Sequence, residues 1–207
     1  MDVISLVFMS SDWPFPDFPK FSVDHSRDVI YLLSHGLRIV YCNPAWDKFA
    51  IENHGLAALC QNVSGTELFR HVSEDLQPTY VSAFALARTS GRSELTFECS
   101  SPSHYRHFRM RIRLLRAGYA ITNSLQVERL HNREIFQPDY AHFENGTITS
   151  CAGCRRTKNL RTQDAWDWVP YFLKDNLVPT CHRLCPACTV YYRSAVPLED
   201  HRQQLAS

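Results

Sequence analysis

Two Cys-x2-Cys pairs, Cys151-Ala-Gly-Cys154 and Cys185-Pro-Ala-Cys188, lie 30 residues apart and constrain the C-terminal part of this chain more than any other feature. Each such turn can present two thiolates to one ion, and two turns close the four-sulfur tetrahedron that zinc prefers. The spacing therefore predicts one Zn2+ held by Cys151, Cys154, Cys185 and Cys188. Four thiolates leave no open position for a substrate, so the metal is expected to be structural. The segment has few apolar residues of its own, and metal binding would supply much of its folding free energy. Cys181 and His182 stand just before the second pair as additional candidate ligands.

The remaining cysteines, Cys42, Cys60 and Cys99, are isolated and read as small buried apolar side chains. Paired cysteines point to metal or redox chemistry ahead of disulfides where thiols stay reduced, and the cytoplasm is the expected compartment. The apolar start, Val3 to Met9, is short and has Asp2 where a secretory signal carries a basic region. No apolar run reaches the ~18 residues of a spanning helix, so no membrane association is expected. Asn62-Val-Ser and Asn145-Gly-Thr fit the glycosylation pattern, which means nothing without a secretory route.

At 207 residues the chain has room for one main domain and a satellite. Residues 1–145 carry 14 Lys/Arg against 16 Asp/Glu, and residues 146–207 carry 8 against 5. That field is too weak to signal a polyanion partner by itself. Arg155, Arg156, Lys158 and Arg161 do follow the first cysteine pair, where they offset thiolate charge or, alternatively, meet a nucleic acid.

Residues 11–24 contain three prolines and read as an extended lead-in whose Trp13, Phe15 and Phe18 dock on a surface. Val29 to Leu33 and Leu37 to Tyr41 flank Ser34-His35-Gly36 as a hairpin. Asn43-Pro44 caps a short helix through Trp46, Phe49 and Ala50. Another short helix is expected over Thr66 to Val72, and a longer one from Leu76 to Arg88, stopped by Gly91. Leu95, Phe97 and Cys99 alternate with Glu94, Thr96 and Glu98; Phe108, Met110, Ile112 and Leu114 alternate with His107, Arg109, Arg111 and Arg113. These two runs predict antiparallel strands with Glu–Arg pairs on the wet face, and Tyr119 to Thr122 makes a fifth strand.

The stretch from Asp28 to Ala50, with its hairpin, Asn43-Pro44 cap and aromatic helix, resembles the opening of a PAS domain. Cys99-Ser-Ser-Pro-Ser-His-Tyr-Arg-His-Phe-Arg-Met-Arg-Ile is similar to the later PAS hairpin of many bacterial sensor proteins. The resemblance implies an α+β fold: a PAS-like five-stranded antiparallel sheet with flanking short helices, plus the small zinc-binding module. It also implies a ligand, cofactor or partner acting on the sheet. Tyr31, Tyr41, Trp46, Phe49, Phe69, Tyr80 and Phe84 are the candidate pocket residues, in a cup that is either packed core or small-molecule site. The cysteine segment resembles a small C-terminal element of bacterial signalling proteins, in which a Trp-containing helix precedes Ser-His-Gly-(Ile/Leu)-Cys-Pro-x-Cys. Asp167 to Leu173 stands for that helix, while Cys181 replaces Ser and Arg183 replaces Gly.

The expected organisation is an N-terminal extension over 1–24, a PAS-like sensor domain over 25–125, a connector over 126–149, the zinc module over 150–195 and a tail over 196–207. This predicts a non-enzymatic sensory or regulatory module acting through a protein partner or homodimer, the dimer built on Val7, Phe8, Trp13, Phe15 and Phe18. The alternative is a nucleic-acid-binding regulator using the basic zinc module. His142-Phe143-Glu144 has the His-x-Glu of zinc deaminases, but Pro186 lies between the cysteines rather than before them, which argues against an enzyme of that class. Haem, with His71 beside the cup, is a further ligand considered; nothing else in the sequence supports it.

Overall fold

The structure of the protein, a computed structural model, describes residues 13–174 and 178–195. Val29–Ser34 (β1), Ile39–Cys42 (β2), Arg92–Glu98 (β3), His104–Leu115 (β4) and Gly118–Leu130 (β5) form an antiparallel sheet in the order β2-β1-β5-β4-β3. Short helices Lys20–Asp24 (α1), Pro44–Glu52 (α2) and Cys60–Val63 (α3) flank it, with the longer Gln77–Ser90 (α4) ending at Gly91 in the left-handed conformation, φ +81°. The expected α+β architecture is thus present. Thr66 to Val72 holds only a 3-10 turn at Leu68–His71, and β5 runs on to Leu130 because it pairs with the whole of β4, from His104↔Leu130 to Leu115↔Gly118.

The inner sheet face and the helices share one core. Leu33, Ile39, Leu95, Met110, Ile112 and Ile121 meet Val63, Leu68, Ala83, Phe84 and Ala87 there, all buried. Complete burial of each large aliphatic side chain contributes about 1.5–3 kcal/mol. The outer face has its own cover: Phe15 and Val23 pack on Ile30, Leu32, Leu115 and Ala120, with Trp13 and Phe18 alongside. Trp13, Phe15 and Phe18 therefore shield this chain's own sheet. The lead-in also holds a helix, α1, which begins directly after the last proline of the segment, Pro19. Val7 and Phe8, the rest of the expected dimer patch, lie outside the described residues.

A β-bulge decides the fate of one candidate pocket residue. Leu33 pairs with Ile39 and Leu32 with Tyr41, so Val40 is the extra residue and Tyr41 turns to the outer face. There it meets the Trp13 ring edge-on at 5.1 Å and hydrogen-bonds to Asp24, away from the cup.

The second sheet comprises Phe143–Glu144 (β6), Thr147–Cys151 (β7), Thr157–Lys158 (β8), Trp166–Asp167 (β9) and Thr180–Arg183 (β10), in the order β10-β7-β8-β9 with β6 also on β7. Asn145 (φ +51°) and Gly146 (φ +78°) make the tight β6–β7 hairpin, the two-residue turn chemistry that Asn-Gly favours. Residues 126–149, expected as a connector, thus contain the end of β5 and the first strands of this module. Asp167 to Leu173 is not a continuous helix: β9 ends at Asp167 and only a 3-10 turn, Pro170–Leu173, follows. Pro170 lacks the N–H that a helix passing through it would need. Helix α5, Pro186–Ala195, closes the described fold. No helix among the described residues is long and apolar enough to cross a membrane.

Asn43 joins three parts of the first layer. Fully buried, its Oδ1 accepts from the backbone N–H groups of Ile30 (3.0 Å) and Trp46 (3.1 Å), and its Nδ2 donates to the carbonyls of Val23 (3.1 Å) and Asp28 (2.9 Å). The cap of α2 is therefore also the tie between α1, β1 and α2. Asn43→Ala removes the cap and orphans buried backbone groups, and is expected to cost about 3 kcal/mol in urea unfolding. A loss below about 1 kcal/mol would show that these bonds do not hold the layer together.

Candidate metal centre

Both cysteine pairs arrive at the same point because strands place them there. Cys151 ends β7, and β10 runs parallel to it with Arg183 opposite Cys151, so Cys185 follows two residues beyond the last pairing. The first turn is held by Arg155 N–H to Cys151 O (3.0 Å) and Cys151 N–H to Arg156 O (2.7 Å). Arg155 adopts φ +61° to complete that turn, a conformation that costs a non-glycine residue about 1–2 kcal/mol. Ala152 N–H bonds to Arg183 O at 2.8 Å and fastens the first turn to the strand leading into the second. Cys185 immediately precedes α5, and Thr189 N–H bonds back to its carbonyl at 2.8 Å, which puts Cys188 in the first helical turn.

The four sulfurs lie within 4.8 Å of one another and could hold a metal ion. Cys151, Cys154 and Cys185 are buried, and Cys188 is half-buried. Backbone N–H groups of Cys185 (3.3 Å) and Cys154 (3.5 Å) point at the Cys151 sulfur, which favours its thiolate. Four groups this close share their protons unevenly. Cys151, hydrogen-bonded by Cys154, Cys185 and Cys188, is held far below the ordinary thiol range, and Cys151, Cys154 and Cys185 push Cys188 far above it. A cation at the centre would remove that conflict, since it would stabilise all four thiolates together.

Cys181 and His182 stay out of the cluster. They alternate on β10, so Cys181 faces one side of the module and His182 the other, and neither belongs to the group that could hold an ion. His142 turns into the module core, where its Nε2 lies 3.0 Å from Asp167 Oδ2 and the Asp139 N–H donates to its Nδ1 at 3.1 Å. Asn159 donates to the same Asp167 oxygen at 2.7 Å. The Asp139 carbonyl also lies 3.2 Å from Nδ1, so both ring nitrogens are engaged. Sequence reasoning missed this buried trio because its members are far apart along the chain.

It also missed the joint between the two parts. Glu98, expected to pair across the sheet, is instead gripped by Arg133 Nη2 at 2.8 and 2.7 Å, with both side chains largely buried. Arg133 also donates to Cys154 O at 3.2 Å and lies 4.8 Å over the Trp168 ring. The cross-strand pairing holds elsewhere: Arg111 and Arg109 reach Glu94 at 3.2 and 3.9 Å. On the other side of the joint Leu184 N–H donates to Asp75 Oδ2 (2.7 Å), Thr79 Oγ1 to Tyr192 O (3.3 Å) and Tyr191 Oη to Thr96 O (3.2 Å).

Of the candidate pocket residues, Tyr31 and Phe84 are buried in the inner core, with Trp46 edge-on to Tyr31 at 5.2 Å and Phe84 edge-on to Tyr119 at 5.1 Å. Phe49 stacks edge-on against Phe108 at 5.8 Å. Phe69 and Tyr80 alone among the seven line the cleft between the two parts of the chain. Of the basic residues after the first knuckle, Arg161 is engaged by Asp139 at 3.0 Å and lies 4.1 Å over the Tyr140 ring.

No protein-family model and no curated protein matches this chain. Solved structures similar to it include the PAS domain of a Colwellia psychrerythraea protein, at 10% identity and TM-score 0.40, over 51% of this chain and 92% of that one. The photoactive yellow protein domain of the sensor histidine kinase Ppr from Rhodospirillum centenum is similar at 15% identity and TM-score 0.37, over 52% and 94%. A PAS domain from a two-component sensor histidine kinase follows at 8% identity and TM-score 0.37, over 51% and 91%.

Gly153 lets the two turns meet. A Cβ there would lie 2.8 Å from Tyr192 Cε2 and 2.9 Å from Cys188 Sγ, inside contact distance of a ligand sulfur. Such overpacking costs roughly 1–3 kcal/mol, so Gly153→Ala is expected to weaken metal binding about tenfold or more in competition with a chromogenic chelator. Unchanged affinity would mean the sulfurs are free to shift and the close approach is immaterial.

Proposed function

We propose that this chain is a non-enzymatic sensory or regulatory module, in which the PAS-like domain receives a small ligand or a protein partner and a structural zinc element fixes the module beside it. Zinc is the metal of choice for four thiolates, and a tetrahedron with Zn–S bonds of about 2.3 Å has edges of about 3.8 Å. The Cys154–Cys185 sulfur separation is 3.8 Å. Reduced thiols are the form this reading needs, as in the cytoplasm.

The observation that carries the reading is that both knuckles are tied by hydrogen bonds to the PAS-like domain, the first by way of Arg133. The first reaches β3 through Arg133 and Glu98, and the second reaches the entrance of α4 through Leu184 and Asp75. Closing the metal site therefore fixes the edge strand and the long helix relative to the module, and a change at either is felt at the other. Output then passes to another protein or to a second copy of the chain.

Wild-type protein is expected to carry about one zinc per chain by native mass and metal analysis. Cys185→Ser should release it and unfold the module while most of the first sheet remains; full zinc occupancy in that variant would refute the ligand assignment. Chelation of wild-type protein should raise hydrogen exchange in β3 and α4, and unchanged exchange there would remove the proposed coupling. Tight DNA or RNA binding at low salt, lost at moderate salt, would replace this reading with the nucleic-acid one.

A further inference from the structure

A cleft of ≈ 740 Å³ opens where the two parts of the chain meet, between the 3-10 turn at Leu68–His71 with the start of α4 on one side and β7, the first knuckle and β10 on the other. Its size falls among those of small-molecule sites, roughly 300–1,000 Å³, and such sites favour the joints between domains. Phe69, Tyr80, Ile148 and Phe172 supply apolar wall. The fixed charge in the polar lining is cationic, from Arg70 and Arg155, and His54, His71 and His182 add ring nitrogens that can hydrogen-bond. Glu74 is the one carboxylate in that lining, and Arg183 already pairs with it at 3.3 Å.

The two guanidiniums come from opposite sides of the joint and are little used by the fold. Arg70 has no ion-pair partner among the described residues, and Arg155 makes only a long contact, 3.9 Å, with the Cys99 sulfur. Unpaired guanidiniums facing a partly apolar cleft are suited to an oxyanion, which they bind through several N–H donors at once.

We infer that this cleft binds a small organic anion, an apolar or aromatic body bearing one carboxylate, sulfonate or phosphate, with Arg70 and Arg155 on the anionic group and Phe69, Tyr80 and Phe172 on the body. The inference deepens the sensory reading and rests on it only for the consequence of binding. Such a ligand touches the sensor domain and the metal module together, and its binding ties them through a route separate from the Arg133 joint.

The test uses the full zinc-loaded chain and two fluorescent probes of nearly the same body, 8-anilinonaphthalene-1-sulfonate and the neutral N-phenyl-1-naphthylamine. The sulfonate is expected to bind saturably at one site and at least about tenfold more tightly than the neutral probe. Arg70→Glu should weaken it by a similar factor, whereas Arg88→Glu, an equal change of charge on exposed α4 surface, should leave it nearly unchanged. Equal binding of the two probes, an equal effect of both variants, or no saturable site would each overturn the inference. Hydrogen exchange separates this from the sensory reading. Saturable binding with unchanged exchange in α4 and β3 keeps the site and removes ligand sensing through it. Absence of a site removes the inference and leaves sensing to a protein partner.

Discussion

The C-terminal module depends on one closure, the meeting of four sulfurs from turns that lie 30 residues apart. Little else there is large enough to hold a fold. Strands β6, β8 and β9 have two residues each, and among the described residues the module's clustered buried apolar side chains are Ile148, Val169 and Phe172, with Trp168 buried beside them. The parallel β7–β10 pairing closes a long loop for four paired positions, an entropic cost those bonds do not offset. An ion on four thiolates would offset it, because its binding free energy would at the same time be folding free energy. The register follows: with Arg183 opposite Cys151, the second knuckle falls directly beside the first.

The joint between sheet and module is polar at its centre. Glu98 and Arg133 are each at least 85% buried, at 15% and 12% side-chain exposure, and such a pair adds less net stability than its geometry suggests, because both ions lose water. What it provides is position. Arg133 is at once bound to the edge strand, to the carbonyl of a candidate metal ligand and to the face of buried Trp168, so only one placement of the module satisfies all three. The module in turn covers part of β3, an edge that would otherwise offer free backbone groups to other strands.

The two faces of the first sheet are both occupied from within the chain. The inner face is filled by aromatic and aliphatic side chains interlocked at ring distances of 5.1–5.8 Å, and the outer face carries the Trp13–Phe15–Phe18 segment. The aromatic residues expected to line a cup are therefore mostly load in the core, and open space appears at the joint with the module instead.

Local chemistry was legible in the sequence wherever one residue type performs one task over a few positions. Alternation along Phe108 to Leu114 set the strand and its faces, Asn43-Pro44 set a helix start, Gly91 set a stop, and the paired cysteines set the candidate ligands. Local rules fail where an irregularity resets the count: the bulge at Val40 reversed Tyr41, and Pro170 reduced an expected helix to a turn. They are silent on partnerships across long separations. Nothing near Glu98 in sequence indicates Arg133, nor does His142 announce Asp167, and the strand alternation of β10 is what turns His182 away from Cys181 and outside the four-sulfur group. Spacing determines which groups share a turn or a face; only the packed chain decides which distant groups are buried together, because desolvation makes each demand a partner from whatever the fold brings within reach.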